Sequence, residues 1–159
     1  MTRATQAWLA TFTRRWHANP DLCHTVDPVA AHSARMGVLA MTLWPNVSGN
    51  LLAACLVHDL GERWVGDVPH PAKRDPDFRA ALIRLEDAAL DGLGLLPRIS
   101  DEDERRLRFL DRLDGYLWAK RHAPQTMTGD DWPEQREWLL QEAIALGVIV
   151  EAIMQEVRT

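Results

Sequence analysis

No run of alternating β-branched residues marks a strand anywhere in this chain, while helix signals recur along it. Residues 3–18 form a first amphipathic segment with Trp8, Leu9, Phe12 and Trp16 on one side, ended by Asn19-Pro20-Asp21. Residues 19–27 are polar and turn-like. Asp27-Pro28 starts a second helix, an N-cap with Pro at the first position, and Pro45 stops it after Trp44. Ser48 caps a third, NLLAACLVHDL, with Gly61 as its C-cap. Residues 62–74 hold Gly66, Pro69 and Pro71 and read as an ordered loop. Asp75-Pro76 opens a fourth helix to about Leu90, closed by Gly92 and Gly94. Ser100 with Asp103 caps a fifth that reaches about His122. Beyond a loop from Pro124 to Gly129, Asp131 and Glu134 box a sixth that runs to about Val157. The expected fold is all-α, one domain over residues 1–159 with about six helices in a bundle.

A length of 159 residues suits one domain whose core needs no staples. Cys23 and Cys55 are too few for a disulfide scaffold or a four-cysteine zinc site. There is no secretory h-region at the N-terminus and no run of 18 apolar residues, so the expectation is a cytoplasmic protein with no membrane partner. The net charge of -5 is a poor match for a nucleic-acid polymer. A small anionic substrate would need a local site built from a metal or a few cationic side chains.

His58-Asp59 is the central chemical feature. It follows the small and apolar run LLAACLV, where an unpaired histidine and aspartate would be costly to bury. His32 lies in the preceding helix among Ala30, Ala31 and Met36, and Asp111 lies in the fifth helix among Leu107, Leu110 and Leu113. Imidazole and carboxylate ligands with open positions are what a hydrolytic divalent metal requires, and a helix C-terminus beside His58-Asp59 favours a cation. Taken singly, a histidine in an apolar helix is more often a hydrogen-bonded core residue, and a His-Asp dipeptide arises by chance. The weight rests on the whole set in its order: His, His-Asp, Asp.

That order resembles the H…HD…D signature of the HD-domain phosphohydrolases. The stretch HDLGERWVGDVPHPAK, residues 58–73, resembles the corresponding segment of the YfbR-like 5′-deoxynucleotidases. FLDRLDGYLWA, residues 109–119, is similar to their final A-D-x-x-x-A-Y-L helix, and Arg15-Trp16 followed by AHSARMG is similar to their R-W…E-H-S opening. The small phage dATP phosphohydrolases of the DatZ type share the arrangement. The resemblance implies a divalent metal (Co, Mn, Zn, Mg or Fe) on His32, His58, Asp59 and Asp111. Asp111 is preferred over Asp114, which is left as a supporting group or an exposed charge. Glu62, four residues after His58, would share its helix face and is expected to be catalytic together with Asp67. Arg15, Trp16 and Lys73 are the expected substrate contacts, Arg15 through its fork on phosphate oxygens. The bland alternatives are a turn cap for Asp67, a core tryptophan, and solvated charges for Arg15 and Lys73.

The chain departs from the family in a longer loop after Trp16 and in Ala31, where the family often has Glu. The resemblance implies hydrolysis of deoxynucleotide phosphate esters, mono- or triphosphate, and a homo-oligomer. Trp132 and Trp138 are candidates for either its interface or the core. The competing readings are an HD enzyme of cyclic or alarmone nucleotides and a non-catalytic helical module with a structural metal.

Overall fold

The computed structural model describes residues 1–69, 71–129 and 131–157; His70, within the 58–73 segment, lies outside them. The described residues are all-α, with no strand beyond a single antiparallel bridge between Arg14 and Pro28. They fall into two compact units, Met1–Ala34 with Ala53–Arg98, and Arg35–Leu52 with the chain from Ile99 onward.

In the first unit, α1 (Arg3–Ala10) is capped by Thr2, whose hydroxyl accepts the Thr5 N–H at 3.1 Å. It ends eight residues before the expected limit at 18, and Trp8 and Phe12 stand exposed instead of packed. The cause is a competing use for the backbone. The first amides of α2 (Val29–Leu43) have no partners within their own helix. The Thr13 carbonyl accepts from Val29 at 2.9 Å and the Thr11 carbonyl from Ala30 at 3.0 Å. Arg15 N–H in turn donates to the Asp27 carbonyl at 2.9 Å. Residues 11–15 therefore run alongside residues 27–30 and cannot continue α1. Along α2, Val29, His32, Ser33, Met36 and Ala40 are buried, a stripe at helical spacing that includes His32.

The helix α3 (Gly49–Val57) is capped by Ser48, which accepts the Leu51 N–H at 3.0 Å. A 3-10 turn follows over His58–Gly61, and then the short α4 (Glu62–Val65), where a loop was expected. Gly61 is not the left-handed C-cap expected of it, since its φ is -59°. It is glycine because another chain segment passes there: a Cβ on Gly61 would stand 2.9 Å from both Cα and Cβ of Glu86. Glu86 belongs to α5 (Pro76–Leu93), which Asp75 caps by accepting the Phe78 N–H at 2.9 Å and Gly94 closes at φ 72°. Ala10, Val29, Leu60 and Leu90 form a buried apolar cluster, with Val57 and Leu95 packed on it.

In the second unit, α6 (Asp101–His122) starts at Ser100, whose hydroxyl accepts the Asp103 N–H at 3.2 Å. Four acids in its first turn and Lys120, Arg121 and His122 in its last complement the helix dipole. Trp138 packs its ring 6.4 Å from Phe109, and Trp132 lies 6.3 Å from Tyr116, so both tryptophans have partners within this unit. The expected sixth helix is two, α7 (Trp132–Ala145) and α8 (Glu151–Glu156), because Gly147 takes φ 70° and turns the chain. No helix among the described residues is long and apolar enough to cross a membrane.

Candidate metal centre

Three expected ligands converge in the first unit. His32 Nε2 lies 3.3 Å from His58 Nε2 and 3.3 Å from Asp59 Oδ2, and His58 Nε2 lies 3.2 Å from Asp59 Oδ1. Donors about 2.1 Å from one ion stand roughly 3.0 Å apart at octahedral angles and roughly 3.4 Å apart at tetrahedral ones, so this donor set fits a divalent cation. The hydrogen bonding of His58 points the same way. Its Nδ1 is 3.1 Å from the Cys55 carbonyl. A carbonyl only accepts, so Nδ1 carries a proton and Nε2 is the ring nitrogen turned to the cluster.

Arg15 and Asp27 stand behind these ligands. Arg15 is nearly buried, with Nη1 3.5 Å from Asp27 Oδ2 and Nε 3.8 Å from Asp59 Oδ2. Asp27 is fully buried and also accepts the Trp16 indole N–H at 3.1 Å. Its place before Pro28 marks it only as a helix cap, because nothing in a linear sequence reports that Arg15 and Trp16 return to it. Trp16 has φ 66°, a rare conformation for a residue with a side chain, and its backbone N–H donates to Asp67 Oδ2 at 2.5 Å. Asp67 thus ties the loop after Gly66 to the segment carrying Arg15 and Trp16, and His17 Nδ1 lies 4.0 Å from the same oxygen.

The two acids of the HD turn are driven apart electrostatically. Burial alone would raise the Asp59 carboxyl, but the charge of His58, the hydrogen bond and charge of His32, and Arg15 outweigh it and hold it well below the usual carboxylate range. Glu62 is pushed well above that range, by burial first and then by Asp59 and Asp67, against the pull of Arg15 and Lys73. Its Oε2 is buried with no hydrogen-bond partner. Glu62 does not reach this place by the four-residue spacing from His58 of a continuous α-helix. The turn is 3-10, and the Glu62 N–H bonds the Asp59 carbonyl, which sets Glu62 over Asp59, three residues back.

Asp111 lies on α6 in the second unit and is partly buried. Asp114, three residues on, is no exposed charge: Arg35 donates to both of its oxygens, at 2.7 and 2.9 Å. A family model described as HD domain matches residues 11–107, more than half of the chain. The chain belongs to the HD-domain family. Members of this family are generally metal-dependent hydrolases. No curated protein and no solved structure matches the chain. The matched span of this HD-domain protein contains every expected site residue except Asp111.

Proposed function

We propose that this HD-domain protein is a metal-dependent phosphohydrolase that cleaves the 5′-phosphate ester of deoxynucleotides in a cytoplasmic pool, as a homo-oligomer. The observation that carries the reading is the convergence of His32, His58 and Asp59 beside the buried Glu62, whose Oε2 has no hydrogen-bond partner. A structural metal site has no use for such an acid, whereas ester hydrolysis needs a proton donor or acceptor at the reacting oxygens. The resemblance to the YfbR-like and DatZ-type enzymes supplies the substrate class and adds Asp111 as the fourth ligand. A bound divalent ion would supply a water of lowered pKa and offset charge on the phosphoryl oxygens.

The chain's own residues divide the remaining work. Glu62, its carboxyl pushed up by burial and by its acidic neighbours, is the group that gives a proton to the departing 5′ oxygen. Asp67 orients the Trp16 segment through its backbone bond and stands ready for proton exchange with water. Arg15 and Lys73 supply positive charge for the phosphate, and the Trp16 ring packs against sugar or base.

The test is incubation with Co²⁺ or Mn²⁺ and each dNMP, dNTP and ribonucleotide, with products separated by ion exchange and Asp59→Ala alongside. Conversion of deoxynucleotides to deoxynucleosides, lost in Asp59→Ala, is expected. Release of phosphate marks a monophosphatase, release of triphosphate from dATP alone a dATP-selective enzyme. No turnover of any nucleotide with either metal would overturn the substrate assignment.

A further inference from the structure

Asp27 is wholly buried beside the candidate metal centre, yet it is neither in the ligand set nor one of the expected catalytic acids. Its Oδ2 accepts the Trp16 indole N–H at 3.1 Å and lies 3.5 Å from Arg15 Nη1. The Arg15 backbone N–H donates to the Asp27 carbonyl at 2.9 Å, next to the bridge between Arg14 and Pro28. The root of the Arg15 side chain is therefore fixed to Asp27, and the charged end lies between two carboxylates. Arg15 Nε is 3.8 Å from Asp59 Oδ2, too far for a hydrogen bond. The same Asp59 oxygen is 3.3 Å from His32 Nε2, so it faces the candidate metal centre. We propose that Asp27 is a positioning residue for the metal: it holds the Arg15 guanidinium off Asp59 Oδ2 and leaves that oxygen open to a divalent cation.

A nearly buried guanidinium needs a counter-charge, because its desolvation must be offset by a partner. Asp27 and Asp59 compete for this one. A direct Arg15–Asp59 pair would occupy the ligand oxygen and set a fixed positive charge against an arriving cation, and both effects oppose metal binding. Asp27 takes the guanidinium at its Nη1 corner and so limits how far it can close on Asp59. Trp16 braces the arrangement. Its ring centre is 5.2 Å from the guanidinium carbon of Arg15, while its N–H is bonded to the same Asp27 oxygen.

Asp27 acts on the metal whatever the substrate, so its test needs no nucleotide. Co²⁺ binding is measured by titration calorimetry for the wild type, Arg15→Gln, Asp27→Asn and the double variant, with folding checked by circular dichroism. Asn keeps an acceptor for the Trp16 indole and removes the charge. Asp27→Asn is expected to weaken Co²⁺ binding about tenfold, the scale of a residue acting behind a ligand. In the Arg15→Gln background the same substitution is expected to change affinity by less than about threefold. A loss of equal size in both backgrounds shows that Asp27 does not act through Arg15 and overturns the proposal. So does an Asp27→Asn protein that binds Co²⁺ as the wild type does.

Arg15→Gln alone is expected to bind Co²⁺ within about threefold of the wild type, because Asp27 already keeps Arg15 from the ligand oxygen. That variant decides if Asp27→Asn fails to fold, and a change of about tenfold in either direction then overturns the proposal. A wild type that binds neither Co²⁺ nor Mn²⁺ overturns it as well. A wild type that binds metal and turns over no nucleotide counts against the substrate reading alone, and the four affinities still decide the role of Asp27.

Discussion

Asp59 and Glu62 stand three residues apart on one turn, yet the carboxyl of one is held well below the usual range and that of the other is pushed well above it. The difference lies in what faces each: two imidazoles and Arg15 for Asp59, burial and two carboxylates for Glu62. Such divergence within one cluster is how a site keeps a ligand and a proton carrier side by side. Glu86 offers a measurable case. Its unfolded form ionises near 4.5 and its folded form near 7, so as pH rises from 4.5 to 7 the folded state is progressively penalised. Above 7 that penalty is constant. In metal-free protein, the Tm of Glu86→Gln minus that of the wild type is therefore expected to grow over this interval and then level off. A difference that stays flat in thermal melts across the interval would refute the shift. Asp59 works the other way, stabilising the fold above its ordinary value of 3.8 and losing that contribution in acid. The two aspartates of α6 separate as well. Asp111→Asn is expected to weaken Co²⁺ binding at least about tenfold. Asp114→Asn is expected to cost stability through Arg35 and leave Co²⁺ affinity within about twofold. Titration calorimetry distinguishes the pair, and equal affinities for the two variants would remove Asp111 from the ligand set.

At the scale of elements, helix ends are where local chemistry and tertiary demand meet. The caps at Ser48, Asp75 and Ser100 follow from side chains that accept the first free amides, and they form as their spacing implies. The end of α1 does not, because its next residues are drawn off to serve the amides of α2. Glycines sort in the same way. Gly94 closes α5 at φ 72°, so Gly94→Ala is expected to cost about 1 kcal/mol. Gly92, in the last turn of that helix, has open space where a Cβ would go, so Gly92→Ala is expected to gain about 0.5 kcal/mol. Urea denaturation of both variants checks the pair, and a loss of stability in Gly92→Ala would show that its site is not open.

For the molecule as a whole, a metal that binds the folded state and not the unfolded chain must raise stability. Co²⁺ at a hundred times its Kd is expected to add about 2.7 kcal/mol, read as a higher Tm, with no rise in Asp59→Ala. An equal rise in both proteins would place the metal elsewhere. The net charge of -5 sets a further expectation at this scale. The protein is expected to leave the mobility of duplex DNA unchanged at about 0.15 M salt, where only local clusters of positive charge act on phosphates.

The sequence by itself determined the helical class, most of the caps, and the order of the candidate ligands His32, His58 and Asp59, because hydrophobic period, cap residues and residue order are local properties of a chain. It missed the break at Gly147, although a glycine between apolar residues was visible there, since a helical glycine and a left-handed one look alike in one dimension. Only the tertiary structure decided the end of α1, the burial of Asp27 under Arg15 and Trp16, the 3-10 turn that sets Glu62 over Asp59, and the seating of Glu86 on Gly61. Each of these depends on which distant backbone comes within a few ångströms, and that is set by packing and by the need to pair every buried polar group.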